Sequence, residues 1–192
     1  MEETEIKILE FSEPYFIRKY YSKASLDEIA SELGISKKTI YKYFDSKESL
    51  QVRCTEARIQ RINTQILKIF ESQRDFLQKI DEVSTLMTVK ENLLSAEYFS
   101  DLKKHCPKAW KRFQENQNTF IPEILKKTIE EGIKKKFIKK DINIEVSIAV
   151  YLMLMRSLID GSYEHHIVSR YSPNELKQTF NDIFFRGILR RD

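Results

Sequence analysis

The chain has few of the residues that interrupt regular structure and few that build covalent scaffolds. Among its 192 residues there are 4 Gly, 4 Pro and 2 Cys. So few turn-forming residues argue against a sheet protein with many tight turns and predict long helices. The two cysteines, Cys54 and Cys106, are too few for a disulfide framework and fit a reducing compartment.

Two further absences concern location and catalysis. No apolar run approaches the roughly 18 residues that span a membrane, and no charged-then-apolar leader precedes the first predicted helix. We therefore expect a soluble, cytoplasmic protein. The only histidines, His105, His165 and His166, have no metal-ligand spacing, and no Ser or Cys lies in a nucleophile motif. We predict that the protein is not an enzyme and uses no metal or other cofactor.

Cys106 leaves two interpretations open. Its neighbourhood is rich in Lys, and nearby cations lower the pKa of a thiol, which would suit a redox sensor. A plain buried or idle thiol is the other interpretation. A zinc site that combined His105 and Cys106 with distant ligands would lack any recognisable spacing.

The most informative segment covers residues 25–50. Ser25 and Glu28 have the S-x-x-E spacing of a capping box, which predicts that a helix begins directly after Ser25. Gly34 ends that helix because Gly adopts the left-handed conformation without strain. Ser36 is a suitable N-cap for a second short helix. Two short helices around a tight turn predict a helix-turn-helix.

The second of these helices is polar and basic on its outer side. Ile40 and Phe44, four residues apart, can face the core. Lys and Thr near the start of a recognition helix meet base edges in the major groove, and aromatic hydroxyls or further cations contact phosphates. We therefore predict that this helix binds DNA, with an ordinary helical hairpin as the alternative. The residues that lie outward or at the edges of this side are Lys37, Lys38, Thr39, Tyr41 and Tyr43.

The same segment resembles the signature of the tetracycline-repressor (TetR) family of transcription regulators over about the first quarter of the chain. The resemblance implies an all-α fold of about nine helices, with an N-terminal three-helix DNA-binding domain and a C-terminal helical domain for ligand binding and dimerisation. It is carried by Ile29-Ala30, Leu33-Gly34-Ile35-Ser36-Lys37, Thr39-Ile40-Tyr41, Tyr43-Phe44 and Ser46-Lys47-Glu48-Ser49-Leu50.

By this resemblance, Lys37, Lys38 and Thr39 would reach bases or nearby phosphates, and the tyrosines would contact the DNA backbone. Lys47 would contact a phosphate at the start of the next helix, whose amides and dipole add to the attraction. The implied DNA-binding set is Ser25, Ser36, Lys37, Lys38, Thr39, Tyr41, Tyr43 and Lys47.

Two positions depart from the family pattern between the first and second helices. Tyr20 stands where the family often has Gly, and Ala24 stands where it often has Thr. The first departure bears on the turn between the two helices, and neither removes the motif.

The net charge of +4 is unevenly distributed. Residues 1–50 contain eight Lys/Arg and ten Asp/Glu, whereas residues 36–61 contain seven cations and three anions. Local basicity is what a groove-reading helix needs. The largest surplus lies over residues 101–140, with twelve cations and five anions. A solvated face is one interpretation of it, and a field that attracts an anionic effector or extra DNA backbone is the other.

Helical periodicity continues to the end of the chain. A helix over about residues 46–72 would reach about 40 Å and link a DNA-binding domain at residues 1–50 to an effector-binding and dimerisation domain at residues 51–192. Pro122 should kink or break a later helix. The further helices are predicted over about residues 75–94, 96–105, 107–136, 143–160 and 172–190.

The last two predicted helices suit a dimer interface. The first is apolar nearly all round and must be buried on more than one side. Together they would pack with a symmetry mate as a four-helix bundle, and two DNA-binding domains about 34 to 36 Å apart would then bind a palindrome. A purely intrachain core is the alternative. The predicted interface residues are Ile148, Leu152, Phe180, Phe184, Gly187 and Ile188.

An effector pocket is predicted from helices that border the cavity of the family. Residues of these types are more often plain core than pocket lining, which is the alternative. Arg156, within an apolar helix, would need an anionic partner, either Asp160 one turn on or a bound acid. The candidate pocket residues are Trp110, Phe113, Phe120, Tyr151, Met155 and Arg156.

The function predicted from these features is a homodimeric repressor that a small-molecule effector releases from a palindromic operator in double-stranded DNA. Such a protein would lie in the bacterial cytoplasm, associated with the nucleoid through DNA. A helical interaction or scaffold protein without sequence-specific DNA binding is the alternative. An α-helical enzyme would need convergent titrating groups that the sequence does not display.

Overall fold

The computed structural model describes residues 2–88, 94–160 and 170–188, with only the backbone described at some helical positions. Within these ranges there are ten α-helices and no β-strand, which confirms the predicted all-α fold. The helices are α1 Glu3–Lys19, α2 Leu26–Glu32, α3 Lys37–Tyr43, α4 Lys47–Glu71, α5 Phe76–Thr88, α6 Ala96–His105, α7 Pro107–Asn118, α8 Phe120–Lys134, α9 Ile144–Asp160 and α10 Pro173–Ile188.

The two serine caps and the glycine turn predicted around α2 and α3 are confirmed. Ser25 is the N-cap of α2, and its hydroxyl accepts a hydrogen bond from the N–H of Asp27 at 3.1 Å. Gly34 follows α2 with φ of 64°, the left-handed conformation that favours Gly. Ser36 caps α3 by accepting from the N–H of Thr39 at 3.0 Å.

The chain forms two compact units. The first contains residues 1–64 and 97–116, and the second contains residues 65–96 and 117–192. This grouping differs from the predicted boundary at residue 50, because α6 and most of α7 belong with the N-terminal helices. The core of the first unit is formed by α1 to α4, where the fully buried side chains include Ile8, Phe16, Ile29, Ile40 and Leu50.

A partly buried ion cluster joins α1 to α4 within the first unit. The carboxylate of Glu13 accepts hydrogen bonds from Arg58 and Arg61 of α4, each at 2.7 Å. Burial raises the pKa of Glu13, but the bonds to Arg61 and Arg58 outweigh burial and hold this pKa below its ordinary value. The cluster therefore holds an ionised carboxylate between two cations.

The helix that contains Pro122 is broken rather than kinked, which is one of the two outcomes that the sequence predicts. The helix predicted over residues 107–136 is divided at Thr119, between α7 and α8. Pro122 consequently lies in the first turn of α8, where an N–H has no acceptor within the helix and its loss costs little. This division accounts for ten helices in the described ranges rather than about nine.

The second unit has its own apolar core, formed around Phe76, Ile129, Ile138 and Phe184. Gly132 of α8 allows close packing there. A Cβ atom at this position would lie 2.5 Å from Cδ1 of Ile138 and 2.7 Å from Cζ of Phe76. A larger residue at position 132 would therefore displace core side chains.

Candidate DNA-binding site and apolar cavity

The helix α3 presents a polar surface and is anchored from beneath. Ile40 and Phe44 are buried in the core of the first unit, with 0% and 3% of their surface exposed. Lys37, Lys38 and Tyr41 are exposed, and Thr39 and Tyr43 are half-buried. Apolar anchoring fixes the helix, and its outward side carries the predicted DNA-binding side chains.

The two serines of the predicted DNA-binding set serve as helix caps. The hydroxyl of Ser25 accepts from the N–H of Asp27. The hydroxyl of Ser36 accepts from the N–H of Thr39 and lies 2.8 Å from the Thr39 hydroxyl. Both serine side chains therefore stabilise the starts of α2 and α3.

The capping box predicted at α2 is not formed, because the backbone N–H of Ser25 has a different acceptor from Glu28. Glu28 accepts a hydrogen bond from the hydroxyl of Tyr15, and the same hydroxyl accepts from the N–H of Ser25 at 3.3 Å. Burial raises the pKa of Tyr15, and the bond to Glu28 raises it further. Tyr15 thus satisfies the backbone donor that Glu28 would satisfy in a capping box.

Lys47 lies at the start of α4, and its ammonium binds backbone atoms of the same chain. It donates to the carbonyl oxygens of Tyr21 and Ala24, each at 2.9 Å. The ammonium also lies 4.3 Å from the centroid of the Tyr21 ring, a cation–π distance. Burial lowers the pKa of Lys47. The residue therefore ties α4 to the turn between α1 and α2.

The turn between α1 and α2 is also hydrogen-bonded to α6. Ser22 donates to the carboxylate of Asp101 on α6 through its N–H at 3.1 Å and also through its hydroxyl.

The same turn contains a strained residue. Tyr20 has φ of 63° and ψ of 151°, a conformation that favours Gly. The departure from the family pattern at Tyr20 therefore leaves a non-glycine residue in a glycine-like conformation.

Two polar residues outside the predicted set contact the same surface. Glu2 accepts a hydrogen bond from the Tyr43 hydroxyl at 2.6 Å, and the ammonium of Lys42 lies 3.4 Å from the same carboxylate oxygen. Lys42 is a cation on α3 and was visible in the sequence. Glu2 was not predictable, because its contact with Tyr43 spans 41 residues.

The second unit contains an apolar cavity that is partly open to solvent. None of its lining side chains is charged. The hydroxyl of Thr128 donates to the Ile124 carbonyl at 2.6 Å, so one of the few polar groups in the wall is engaged within its own helix. The lining residues are Ile66, Phe70, Ile80, Val83, Ser84, Ile121, Ile124, Leu125, Thr128 and Tyr151.

Only one of the six predicted pocket residues lines this cavity, namely Tyr151. Trp110 and Phe113 pack against Phe99 in the first unit, with ring centroids 6.0 and 4.7 Å from that of Phe99. Phe120 and Met155 are half-buried elsewhere in the second unit. The cavity is therefore formed mainly by residues that the sequence did not single out.

The expectation that Arg156 is a buried cation is wrong. Its side chain is exposed, and its guanidinium donates to the side-chain oxygen of Asn118 at 2.9 Å. An exposed guanidinium is hydrated and needs no anionic partner. The side chain of Asp160, the predicted partner, lies outside the described residues.

The predicted dimer residues occupy several environments. Phe180 and Phe184 pack against Tyr151 at centroid distances of 5.3 and 5.1 Å, and Ile148 packs against the same intrachain core. Leu152 is half-buried and Gly187 is exposed. The side chain of Ile188 lies outside the described residues.

A different set of apolar side chains on α9 and α10 faces outward. Met153 and Ile183 are the most exposed, at 70% and 68%. The members on α9 recur at spacings of four, three and one and therefore share one side of the helix. We call this set the exposed apolar face, and it consists of Val146, Val150, Met153, Leu154 and Ile183.

Cys106 does not have the low thiol pKa of a redox sensor. Its side chain is fully buried. Burial raises the pKa of the thiol to about 11 and outweighs the nearby lysines. The interpretation as an unreactive buried thiol is the one that the surroundings of Cys106 favour.

Every helix in the described part of the chain is too short or too polar to cross a bilayer.

Comparison with known proteins identifies the N-terminal segment. The family model for bacterial regulatory proteins of the tetR family matches residues 8–54, from α1 into α4. The Bacillus subtilis (strain 168) protein YvaF, named an uncharacterized HTH-type transcriptional regulator, is 24% identical over 168 residues, which are 85% of each chain.

Solved structures share the fold along almost the whole chain. A TetR-family transcriptional regulator from Agrobacterium tumefaciens has a TM-score of 0.74 at 13% identity and covers 97% of each chain. The regulator FadR from Bacillus subtilis, solved in complex with stearoyl-CoA, has a TM-score of 0.64 at 15% identity, with coverage of 95% of this chain and 98% of FadR. At these identities the likeness establishes the fold.

Proposed function

Because the chain belongs to the TetR family and is a DNA-binding transcriptional regulator rather than an enzyme, we propose that it is a homodimeric repressor. Its operator is a palindrome, and a small apolar effector releases it from that operator. The protein acts in the bacterial cytoplasm, at the nucleoid. The observation that carries the proposal is the outward polar side of α3, supported from beneath by Ile40 and Phe44.

In the proposed complex, the N-terminal half of α3 enters the major groove. Lys37, Lys38 and Thr39 reach base edges or adjacent phosphates, because a recognition helix contacts bases mainly through its first residues. Tyr41, with 47% of its surface exposed, and Tyr43 contact the backbone. These phosphate contacts set the register of the helix in the groove.

Lys47 has a double role in this proposal. An ammonium has three N–H donors, and two of them bind the carbonyls of Tyr21 and Ala24. The third donor is directed to a DNA phosphate at the start of α4. The same side chain would then hold the turn before α2 and neutralise a phosphate.

Dimerisation is supported by the exposed apolar face. Isolated apolar side chains at the surface are ordinary, whereas several on one side of a helix, as on α9, are typical of an interface. A second copy that covers this face would bury Met153 and Ile183. One recognition helix contacts too few base pairs for useful discrimination, so two are needed on a palindrome.

The cavity in the second unit supports an uncharged, apolar effector. A charged ligand group would lose hydration there without a compensating ion pair from the lining side chains. Ile66 and Phe70, which belong to α4, form part of the wall. An occupant therefore contacts the helix that begins at Lys47, and a coupling of about 1 to 3 kcal/mol is typical of such regulation.

The experiment that tests this function measures binding of the purified protein to DNA from just upstream of its own gene, over a range of salt concentrations. A variant with both Lys37→Ala and Tyr41→Ala is compared with Lys126→Ala, an exposed change on α8. We expect salt-sensitive, sequence-selective binding by the wild type and Lys126→Ala, and its loss in the double variant. Equal binding to every sequence would instead favour the alternative of a helical protein without sequence-specific DNA binding.

A further inference from the structure

Carboxylates of the same chain pair with cations at both ends of α3. At the N-terminal end, the ammonium of Lys37 lies 2.9 Å from a carboxylate oxygen of Asp27. At the C-terminal end, Glu2 accepts from the hydroxyl of Tyr43 at 2.6 Å, and the ammonium of Lys42 lies 3.4 Å from the same oxygen. Lys37, Lys42 and Tyr43, three of the polar side chains on α3, are thus already paired with anions.

The site around Glu2 has the chemistry of a phosphate contact. A phosphate oxygen in DNA accepts hydrogen bonds from phenol and ammonium donors, and Tyr43 and Lys42 offer both to one carboxylate oxygen. The hydrogen bond from Tyr43, followed by that from Lys42, lowers the pKa of Glu2. Glu2 is therefore an anion at neutral pH, as a phosphate is.

The same arrangement accounts for a puzzling feature of the charge distribution. Residues 1–50 contain more anions than cations, ten against eight, although this segment matches a DNA-binding family. Two of those anions, Glu2 and Asp27, form ion pairs with Lys42 and Lys37 of α3. Part of the excess of acidic residues thus pairs with cations on the helix that is proposed to bind DNA.

We propose that Glu2 and Asp27 are internal competitors of the DNA phosphates, which hold Lys42, Tyr43 and Lys37 in the free protein and must release them when α3 enters the groove. This autoinhibitory contact rests on the proposed function, because it presumes that α3 binds DNA. It weakens binding to any duplex. Its effect is greatest at low salt, because ions screen exposed pairs.

The expected effect is small because both pairs are exposed to solvent. Exposed ion pairs change an equilibrium by a factor of about two to five. Removal of the Glu2 charge should therefore tighten DNA binding about two- to fivefold for each protomer in the complex at low salt, with a smaller gain at high salt.

The test compares Glu2→Gln with Glu3→Gln. Glu3 is the next residue, loses the same charge, and pairs only along α1 with Lys7 at 2.6 Å. Glu2 makes no side-chain cap to α1, so its substitution removes no helix cap. The dissociation constants for one fixed duplex are measured at low and moderate KCl. We expect tighter binding by Glu2→Gln and a near wild-type value for Glu3→Gln.

A second comparison separates the Glu2–Tyr43 hydrogen bond from the long-range electrostatic effect of the Glu2 charge. If Glu2 competes through the Tyr43 hydroxyl, the gain from Glu2→Gln must shrink in a Tyr43→Phe background, as a double-mutant cycle measures. Asp27→Asn should likewise tighten DNA binding at low salt. Glu32→Gln, an exposed change on α2, is its control.

The outcomes separate the two proposals. If the folded wild type binds no duplex, the proposed function fails, and the competitor role fails with it. If the wild type binds DNA but Glu2→Gln binds no more tightly than Glu3→Gln, only the competitor role is overturned. An undiminished gain from Glu2→Gln in the Tyr43→Phe background also overturns it.

Discussion

The ammonium of Lys47 donates a hydrogen bond to the backbone carbonyl of Ala24 at 2.9 Å. Ala24 stands where the TetR family often has Thr, and this contact needs only the backbone of residue 24. Together with the bond to the Tyr21 carbonyl, it joins the start of α4 to the turn that precedes α2. The position of the helix-turn-helix thus depends on a side chain that is also proposed to contact DNA.

The double role of Lys47 predicts two separable losses in Lys47→Met, which keeps the length of the stem but removes the ammonium. The free energy of unfolding should fall by about 1 kcal/mol, because two carbonyls lose a donor. The slope of log affinity against log salt should become shallower by about 1.8 for the dimer, because each protomer loses one phosphate contact. Both are measured beside Lys38→Met, whose exposed side chain should affect DNA binding without affecting stability. An unchanged slope would leave Lys47 with a structural role only.

Tyr20 provides a test of backbone strain. Its φ of 63° and ψ of 151° lie in a region that costs non-glycine residues about 1 to 3 kcal/mol. Tyr20→Gly should relieve this strain and raise the free energy of unfolding by about 1 kcal/mol, after the entropic cost of Gly is subtracted. Thermal unfolding followed by circular dichroism measures the change. Tyr20→Ala is the control and should bring no gain, since Ala has a Cβ atom. A lower melting temperature for Tyr20→Gly would show that contacts of the ring outweigh the strain.

The ion cluster of Glu13, Arg58 and Arg61 should make stability depend on pH. The folded state holds the pKa of Glu13 below its ordinary value of 4.5. The unfolded chain therefore binds the proton more readily, and the stabilisation is complete above about pH 4.5. It is lost as the pH falls through the lowered pKa of the folded state.

Glu13→Gln should consequently destabilise the protein by about 3 kcal/mol at neutral pH, because it leaves two cations beside an uncharged amide. The difference from the wild type should decrease towards acid pH. Urea unfolding at several pH values measures it, with Glu10→Gln, an exposed change on α1, as the control. A difference that did not change with pH would show that Glu13 acts through packing alone.

The proposed dimer interface predicts the effect of a charge on the exposed apolar face. Met153→Glu should shift the protein from dimer to monomer, because a buried unpaired carboxylate is costly at an interface. Sedimentation equilibrium measures the change. Gln178→Glu, which adds the same charge at an exposed position of α10, should leave the dimer intact. A wild-type monomer at all concentrations would contradict the interface.

The cavity predicts an uncharged apolar ligand. Nile red, a neutral dye, should become fluorescent when it binds to the wild type. Ile124→Trp should abolish the signal by filling the cavity, at a cost of up to about 3 kcal/mol from overpacking. Lys126→Trp, an exposed change on the same helix, should preserve it. Retained DNA binding by Ile124→Trp would confirm that the variant is folded, and an unchanged dye signal would place the dye elsewhere.

Local signals in the sequence predicted much of this protein. The caps at Ser25 and Ser36 and the left-handed Gly34 depend on backbone donors and conformations within a few residues, so short patterns sufficed to predict α2 and α3. Helical periodicity predicted α4 closely, over about residues 46–72 against the observed Lys47–Glu71. The outward side of α3 followed once Ile40 and Phe44 were assigned to the core.

Only the tertiary structure decided which side of each C-terminal helix is buried. The sequence of α9 is apolar nearly all round, so its periodicity does not distinguish a side that faces the intrachain core from one that faces solvent. Neighbouring helices make that choice, and they place Ile148 against the core and Met153 at the surface. The contacts of Glu28 with Tyr15 and of Glu2 with Tyr43 likewise join residues far apart in the chain. Sequence determined the helices and their caps because those depend on near neighbours, whereas packing determined the cavity, the exposed apolar face and the competing carboxylates.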